Sequence, residues 1–528
     1  MGETVNQNTR LKLDVKRTLK VGLAFMGIML FWEVYDYIMP LVSSNYFGLS
    51  TSEYGIIMGL DNLLAIFLLP FFGSLSDKSH AKMGRRTAFI FWGTIAAVIS
   101  IVILMIVELQ QFKLIEGTTL QAIQAIVEEA KKSATGELSS ENRTQIVALF
   151  NQIVNDGYLT TQDVQVLSNP EFTITTITEL QVLVARNLMI TKPALLGIFI
   201  LSLLMILVAM ASYRSPAIAL MPDVTPKPLR SQANALITFM GGVGGALSIL
   251  VYKMFGSQKY ESHILLWVVT AGLLALVLVL FMILVKEKQF VEKRLEEEKQ
   301  ANVVDEEEEE EKHGQKMPKE KFISLLLILG TVFLWFMGYN CVRSHMSNYA
   351  TKFLELSQGF VGTINLFNGI GGAIALVPCA FLASKLGRKK TIFVGLGIAA
   401  VAFVPLYFMK ANTPLVNVFF PICFIASGFG MVFINVNTLP MVTELSKGSN
   451  VGKYTGYYYV ASMTAQAITP YFSGLVMGDS ISTWNNLYIY SIVFIALATI
   501  TTALIKYGDV KAEKANGIVD IINQDGVD

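Results

Sequence analysis

Charge is what this chain has least of. Only 15% of its 528 residues are Asp, Glu, Lys or Arg, while 53% are hydrophobic. A soluble domain carries more charge and spreads its apolar residues periodically; here they fall in blocks of about 20, the length that crosses a bilayer. The class is therefore a polytopic, all-α integral membrane protein with the lipid bilayer as its surroundings. A net charge of +1 gives no reason to expect nucleic acid as a partner. The three cysteines, Cys341, Cys379 and Cys423, sit in apolar runs without disulfide or metal spacing, and read as small packing residues. There is no nucleotide-binding P-loop and no catalytic-triad spacing, which argues against an ATP-driven pump, an enzyme or a bound cofactor. The polar, basic stretch from Met1 to Lys20 leads into an apolar run that lacks a small-residue cleavage site. That run is expected to stay as a helix rather than leave as a signal peptide.

Twelve candidate spans fit, at about 19–42, 53–73, 87–107, 193–220, 232–255, 263–286, 321–345, 358–383, 390–410, 415–440, 454–477 and 485–507. Lys and Arg set their direction. Arg10, Lys12, Lys16, Arg17 and Lys20 precede the first span; Lys78, Lys82, Arg85 and Arg86 follow the second; Lys385, Arg388, Lys389 and Lys390 follow the eighth. Both termini are thus predicted on the cytoplasmic side of a plasma (cell) membrane.

The chain also repeats itself. Trp32, Ser44, Asn45 and Tyr46 return 303 positions later as Trp335, Ser347, Asn348 and Tyr349, and Lys82-Met83-Gly84-Arg85-Arg86 returns as Lys385-Leu386-Gly387-Arg388-Lys389. The matches keep their order on equivalent spans, which predicts two six-helix halves related by duplication. Beyond the fourth span the register drops by about 80 residues, so the first half holds an insert of that size. The expected organisation is 1–107 (helices 1–3), an extracytoplasmic helical insert at 108–190, 191–286 (helices 4–6), an acidic cytoplasmic linker at 287–320, 321–510 (helices 7–12) and a cytoplasmic tail at 511–528. The insert reads either as a cap over the entrance or as a tolerated passenger. The linker carries Asp305 and Glu306 to Glu311 and reads as a solvated, disordered segment.

Against this apolar background three carboxylates stand out. Asp61 lies deep in the second span, where a charged side chain costs roughly 2.5–3.5 kcal/mol on insertion scales. Glu33 and Asp36 lie in the first span three residues apart, on one helix face. Neighbouring carboxylates repel one another and lose water together, conditions that suit proton loading. The alternative is a structural partnership with a buried donor such as Arg214. In the second half the same positions are Phe336, Tyr339 and Asn368, so the acids are confined to one half. Aromatic faces and amides able to hold a sugar are Trp32, Tyr35, Trp335, Tyr339, Asn340, Asn365, Asn368, Asn435 and Asn437, with Arg214 beside them. Arg343 and His345, near the outer end of span seven, read as snorkelling side chains. Gly241, Gly242, Gly244 and Gly245, with Gly369, Gly371 and Gly372, read as sliding surfaces between halves.

The run Gly73-Ser74-Leu75-Ser76-Asp77 with Gly84-Arg85-Arg86, and its partial copy Gly387-Arg388-Lys389, resembles the cytoplasmic signature loop of the major facilitator superfamily. Only the first copy has the aspartate; Ser384 replaces it in the second. The resemblance covers nearly the whole chain apart from the insert. It implies the twelve-helix major facilitator fold and a gating role for Gly73, Asp77, Gly84, Arg85, Arg86, Gly387 and Arg388, with Gly73 at the seam between halves. Within that superfamily, Pro70, Gly73, Ser76 and Asp77, and Ala219-Leu220-Met221-Pro222-Asp223 followed by Arg230, look most like the glycoside–cation symporters and sucrose–proton carriers. Two departures stand: Ile218 occupies a position where sucrose carriers have arginine, and Asp61-Asn62 replaces their Gly-Pro. Arg214, one turn before Ile218, lies on the same face.

The resemblance implies a monomeric secondary transporter that imports a glycoside or oligosaccharide, such as sucrose or maltose, with protons or sodium as the coupling ion, Asp36, Asp61 and Glu33 carrying the coupling. An exporter of amphipathic compounds and a non-transporting membrane sensor are the rival expectations.

Overall fold

The computed structural model describes residues 12–116, 122–123, 125–126, 129, 138–155, 174–226, 229–255, 263–300, 318–410, 416–445 and 451–508. The Asp305–Glu311 run and the tail at 511–528 lie outside them.

Long apolar runs become long helices because a chain in hydrocarbon must satisfy its backbone within the segment. The first half contains α1 (Val15–Asn45), α2 (Thr51–Asp77), α3 (Arg85–Glu116), α4 (Ser140–Asn155), α5 (Ile174–Thr191), α6 (Pro193–Val224), α7 (Arg230–Phe255) and α8 (Ile264–Leu284). Then come α9 (Glu287–Gln300), α10 (Lys319–Asn348, continued by a π-helical turn at Tyr349–Phe353), α11 (Gln358–Leu386), α12 (Arg388–Tyr407), α13 (Val416–Glu444), α14 (Val451–Met477) and α15 (Asn486–Leu504). Local signals fix the starts. Ser50 and Glu53 form a reciprocal capping box at α2, Asp14 caps α1, and Pro193 opens α6. Among the described residues, 11 helices are long and apolar enough to cross a bilayer. The twelfth expected span, α14, is 27 residues long and interrupted by Tyr, Ser, Thr and Gln.

The duplication is visible in the packing. Within the first half α1 packs on α7 and α8, α3 on α6, and α2 on α6; within the second, α10 packs on α14 and α15, α12 on α13, and α11 on α13. Every pair has its counterpart at the repeat-equivalent position. Between the halves α2 meets α14, and its counterpart α11 meets α7.

These cross-half contacts gather at one end of the bundle. A Cβ on Gly59 would strike the carbonyl oxygen of Ala467, one on Gly55 that of Pro470, and one on Gly474 that of Thr51, so α2 and α14 touch backbone to backbone. Polar bonds surround that contact. Thr51 Oγ1 donates to Gly474 O at 2.8 Å, Tyr54 Oη meets His345 Nδ1 at 2.6 Å, and Asn348 Nδ2 donates to Pro40 O at 2.8 Å. Lys352 Nζ donates to Ser44 Oγ at 2.5 Å. The insert's last helix, α5, lies against this end too, touching α1, α6 and the second half's π-helical turn, while Arg186 pairs with Glu53 at 3.0 Å. At the opposite, loop-bearing end, the hydrogen bonds and ion pairs of both signature copies stay inside their own halves among the described residues. Among the described residues, the close contacts between the halves are at one end of the bundle.

Three expectations change here. Where the glycines at 241–245 and 369–372 meet a neighbour it belongs to their own half: Gly244 meets Met26 O of α1 and Gly371 meets Ile425 O of α13, while close backbone approach at the seam is made by Gly55, Gly59 and Gly474. Gly73 approaches Ser215 of its own half, 3.0 Å from where its Cβ would sit. Residues 287–300, expected to be disordered linker, form α9, held by Glu297 on Arg17 at 2.7 Å and Lys293 on Asp14 at 2.8 Å.

Candidate functional site

Glu33 and Asp36 sit on one face of α1, as their spacing predicts, and turn toward α10. There Arg343 Nη2 donates to Glu33 Oε1 at 3.2 Å and to Asp36 Oδ2 at 3.1 Å. Arg343 is no snorkelling side chain: it reaches across from the second half and is 42% exposed, whereas the seal beyond it is buried. His345 is likewise fully buried, its Nε2 lying 3.0 Å from Pro470 O and 2.9 Å from Ser473 Oγ. Neither partnership was readable from sequence, because acid and arginine stand about 310 positions apart and only the crossing of α1 with α10 joins them.

Asp61 is half-buried on α2, where its carboxylate accepts a local hydrogen bond from Asn62 Nδ2 at 2.8 Å. Among the described residues no lysine or arginine forms an ion pair with it. Arg214 of α6 is within electrostatic range of both Asp61 and Asp36, and its guanidinium carbon lies 6.0 Å over the Trp32 ring. Three carboxylates therefore face two arginines, and Asp61 is the acid left over.

The aromatic candidates form two repeat-related groups. Trp32 packs edge-on against Tyr35 with ring centres 5.4 Å apart, and Trp335 stacks on Tyr339 at 5.3 Å. Tyr35 and Trp335 are fully buried; Trp32 Nε1, Tyr35 Oη and Trp335 Nε1 have no hydrogen-bond partner among the described residues. Tyr339 Oη donates to Asn368 Oδ1 at 3.1 Å, and Asn368 Nδ2 in turn donates to Phe424 O and Ser427 Oγ, tying α11 to α13. Asn437 is buried, its Nδ2 donating to Cys379 Sγ and Phe433 O. Asn340 is 9% exposed, Asn365 and Asn435 are half-buried, and Asn435 Oδ1 is unpartnered.

The signature loop is a charge lattice. Arg86, 5% exposed, pairs with Asp77, donates through Nε to Asp223 Oδ2 at 2.8 Å, and through Nη1 to Ser76 Oγ at 2.5 Å. Arg85 reaches the same Asp223 oxygen at 2.9 Å. Sequence reasoning missed Glu287. Its carboxylate takes the backbone N–H groups of Arg86 and Thr87, at 3.1 and 2.7 Å, capping the positive end of α3. Gly84 has φ +118°, and a Cβ there would collide with that carboxylate. In the second copy Gly387 has φ +92°, Arg388 pairs with Glu444, and Lys389 Nζ donates to Ala503 O in the last turn of α15 and to Ile505 O just past it.

With this geometry in hand, comparison with known proteins is consistent. The family model described as Major Facilitator Superfamily matches residues 174–440 and 328–519. A shikimate transporter of Escherichia coli (strain K12) is 27% identical over 171 residues, 31% of this chain and 38% of that protein. The chain thus aligns with well under half of that relative's length. Among solved structures, a bacterial homologue of the iron transporter ferroportin in an inward-facing state superimposes with TM-score 0.57 at 13% identity, covering 94% of this chain and 99% of that one. A D-xylose–proton symporter gives TM-score 0.56 at 12% identity, covering 94% and 98%. At such identities the likeness is one of fold.

Proposed function

The chain belongs to the major facilitator superfamily, and from that premise we propose that it imports a sugar together with protons by alternating access. It is a multi-pass membrane transporter; the sugar, a glycoside or oligosaccharide such as sucrose or maltose, and the proton are the proposal. One observation carries it: Asp61, inside a membrane span, has no ion-pair partner among the described residues while Glu33 and Asp36 share Arg343. An intramembrane carboxylate without a fixed cation is suited to taking up and giving back a proton or sodium ion. Paired aromatics at Trp32 and Trp335 and the amides of Asn340, Asn365 and Asn435 offer the faces and hydrogen bonds a sugar needs. A fold shared with a D-xylose–proton symporter supports the same reading. Placement in the plasma membrane, cytoplasmic termini and a monomeric state go with it, as does an insert that caps the sealed end.

The test is uptake of labelled sucrose and maltose into proteoliposomes under an inward proton gradient, with a sodium gradient as the second arm, for wild type and Asp61→Asn. Accumulation driven by protons in the wild type and lost in the variant is expected. No accumulation of either sugar under either gradient overturns the reading.

A further inference from the structure

Resting on that proton reading, we propose that Arg343 is the coupling residue that reports the charge of Glu33 and Asp36 to the seal between the two halves. The acids belong to the first half and the arginine to the second, so their two hydrogen bonds bridge the seam. They do so directly beside the seal and on the same two helices. Pro40, whose carbonyl accepts from Asn348, follows Asp36 by about one turn of α1. His345 and Asn348, which bind Tyr54 and Pro40, follow Arg343 within about a turn and a half of α10. What happens at Arg343 is therefore felt where α1 and α10 are fastened together.

The chemistry gives the link its sign. Both bonds are charge-assisted and are strongest to ionised carboxylates. A proton on Glu33 or Asp36 removes its negative charge and turns one oxygen into a donor, which an arginine cannot accept from. With both acids protonated Arg343 keeps only weakened bonds to α1, and the seal is left to the bonds of Thr51, Tyr54, Asn348 and Lys352. The other titratable groups around this cluster are Tyr35 on α1, Asp61 on α2, Arg214 on α6, Tyr339 on α10 and Tyr459 on α14. From α7 the nearest approach to Glu33 is Gly245, 3.6 Å from Cγ to the site of its Cβ. Arg214 sits over Trp32, so the tie across the seam rests on Arg343. Charged acids hold the sealed arrangement seen here; protonated acids release it, so that the sealed end opens toward the side from which protons arrive.

Spin labels on Lys192→Cys and Asp479→Cys, exposed residues at the sealed end of the two halves, read this directly in the full-length chain. The native cysteines are replaced and the protein is held in lipid nanodiscs. In the wild type the distance should be short in mildly alkaline buffer and gain a longer component in acid. Arg343→Gln should show the longer component at both pH values, with the ratio of open to closed raised by about tenfold in alkaline buffer, a usual size for coupling between sites. Arg343→Lys should restore most of the pH response. Glu33→Gln with Asp36→Asn, which leaves the arginine in place, should mimic Arg343→Gln and add nothing when combined with it. If the wild-type distance ignores acid, the proton reading falls and this inference with it. If Arg343→Gln follows pH as the wild type does, the inference on Arg343 is overturned and the proton reading stands.

Discussion

Two acids with opposite surroundings show what a carboxylate contributes here. Glu108 of α3 has no exposed surface and accepts three hydrogen bonds, from His263 N at 3.0 Å, His263 Nδ1 at 2.9 Å and Trp267 Nε1 at 2.7 Å. Its loss leaves buried donors unpaired at about 1–3 kcal/mol each. Glu108→Leu should therefore destabilise by at least about 2 kcal/mol, and Glu108→Gln by less, because one acceptor oxygen survives. Unfolding temperatures in detergent at one scan rate should rank wild type above Gln above Leu. Asp14 is the contrast. The hydrogen bond from Lys293 holds its carboxyl below the usual range, working against partial burial. A folded-state value below the unfolded one means the contribution is present above the unfolded pKa of about 3.9 and is lost as pH falls through the folded value. Since Lys293 is half exposed, Lys293→Met should cost under about 1 kcal/mol at neutral pH and nothing in strong acid, as acid-titrated unfolding would register. At this scale the sequence was half legible. Asp61 announced itself by interrupting an apolar run. Arg343 and Glu287 did not, because their partners lie about 310 and 200 positions away and no local pattern encodes a helix crossing.

Between elements, the decisive contact is α2 against α14. Gly55, Gly59 and Gly474 let the two backbones touch at the sealed end, and Gly59 faces the carbonyl of Ala467 with no room for a methyl group. A backbone obstacle cannot rotate away as a side chain can. Gly59→Ala should prevent full closure, lengthening the Lys192–Asp479 spin-label distance at every pH while leaving far-ultraviolet helicity unchanged. Gly272, with nothing within 4 Å of its would-be Cβ, is the control that should tolerate alanine. The apolar blocks and the repeat were readable in advance, since each rests on spacing along the chain. Which glycine meets which backbone was not. Four glycines in five residues at 241–245 suggested a sliding surface between halves, yet Gly241, Gly244 and Gly245 face α1 of their own half, at Met29, Met26 and Glu33. Glycine marks close approach but does not name the partner. The same limit applied to α9, whose charged composition reads as solvent-facing until Arg17 and Asp14 are seen to receive it.

On the scale of the whole molecule, two internally matched halves joined at one end should move as rigid bodies, each keeping its own packing. The repeat then predicts what closes the other end. Gly73 stands about five full turns from Gly55 on α2, and Gly456 lies within about 40° of four turns from Pro470 on α14, so both continue the faces that already meet. Gly73 now approaches only Ser215 of its own half, and Gly456 has nothing within 4 Å of its would-be Cβ. We predict that they form the counterpart contact once the halves rock. In a background without native cysteines, Gly456→Cys should react readily with a water-soluble maleimide, and Thr51→Cys, 3% exposed at the seal, should react slowly. Adding Gly59→Ala should reverse the order, raising the rate at Thr51→Cys and lowering it at Gly456→Cys. The reciprocity is the point: an increase at one end without protection at the other would describe a loosened seal, not a carrier that exposes one side at a time.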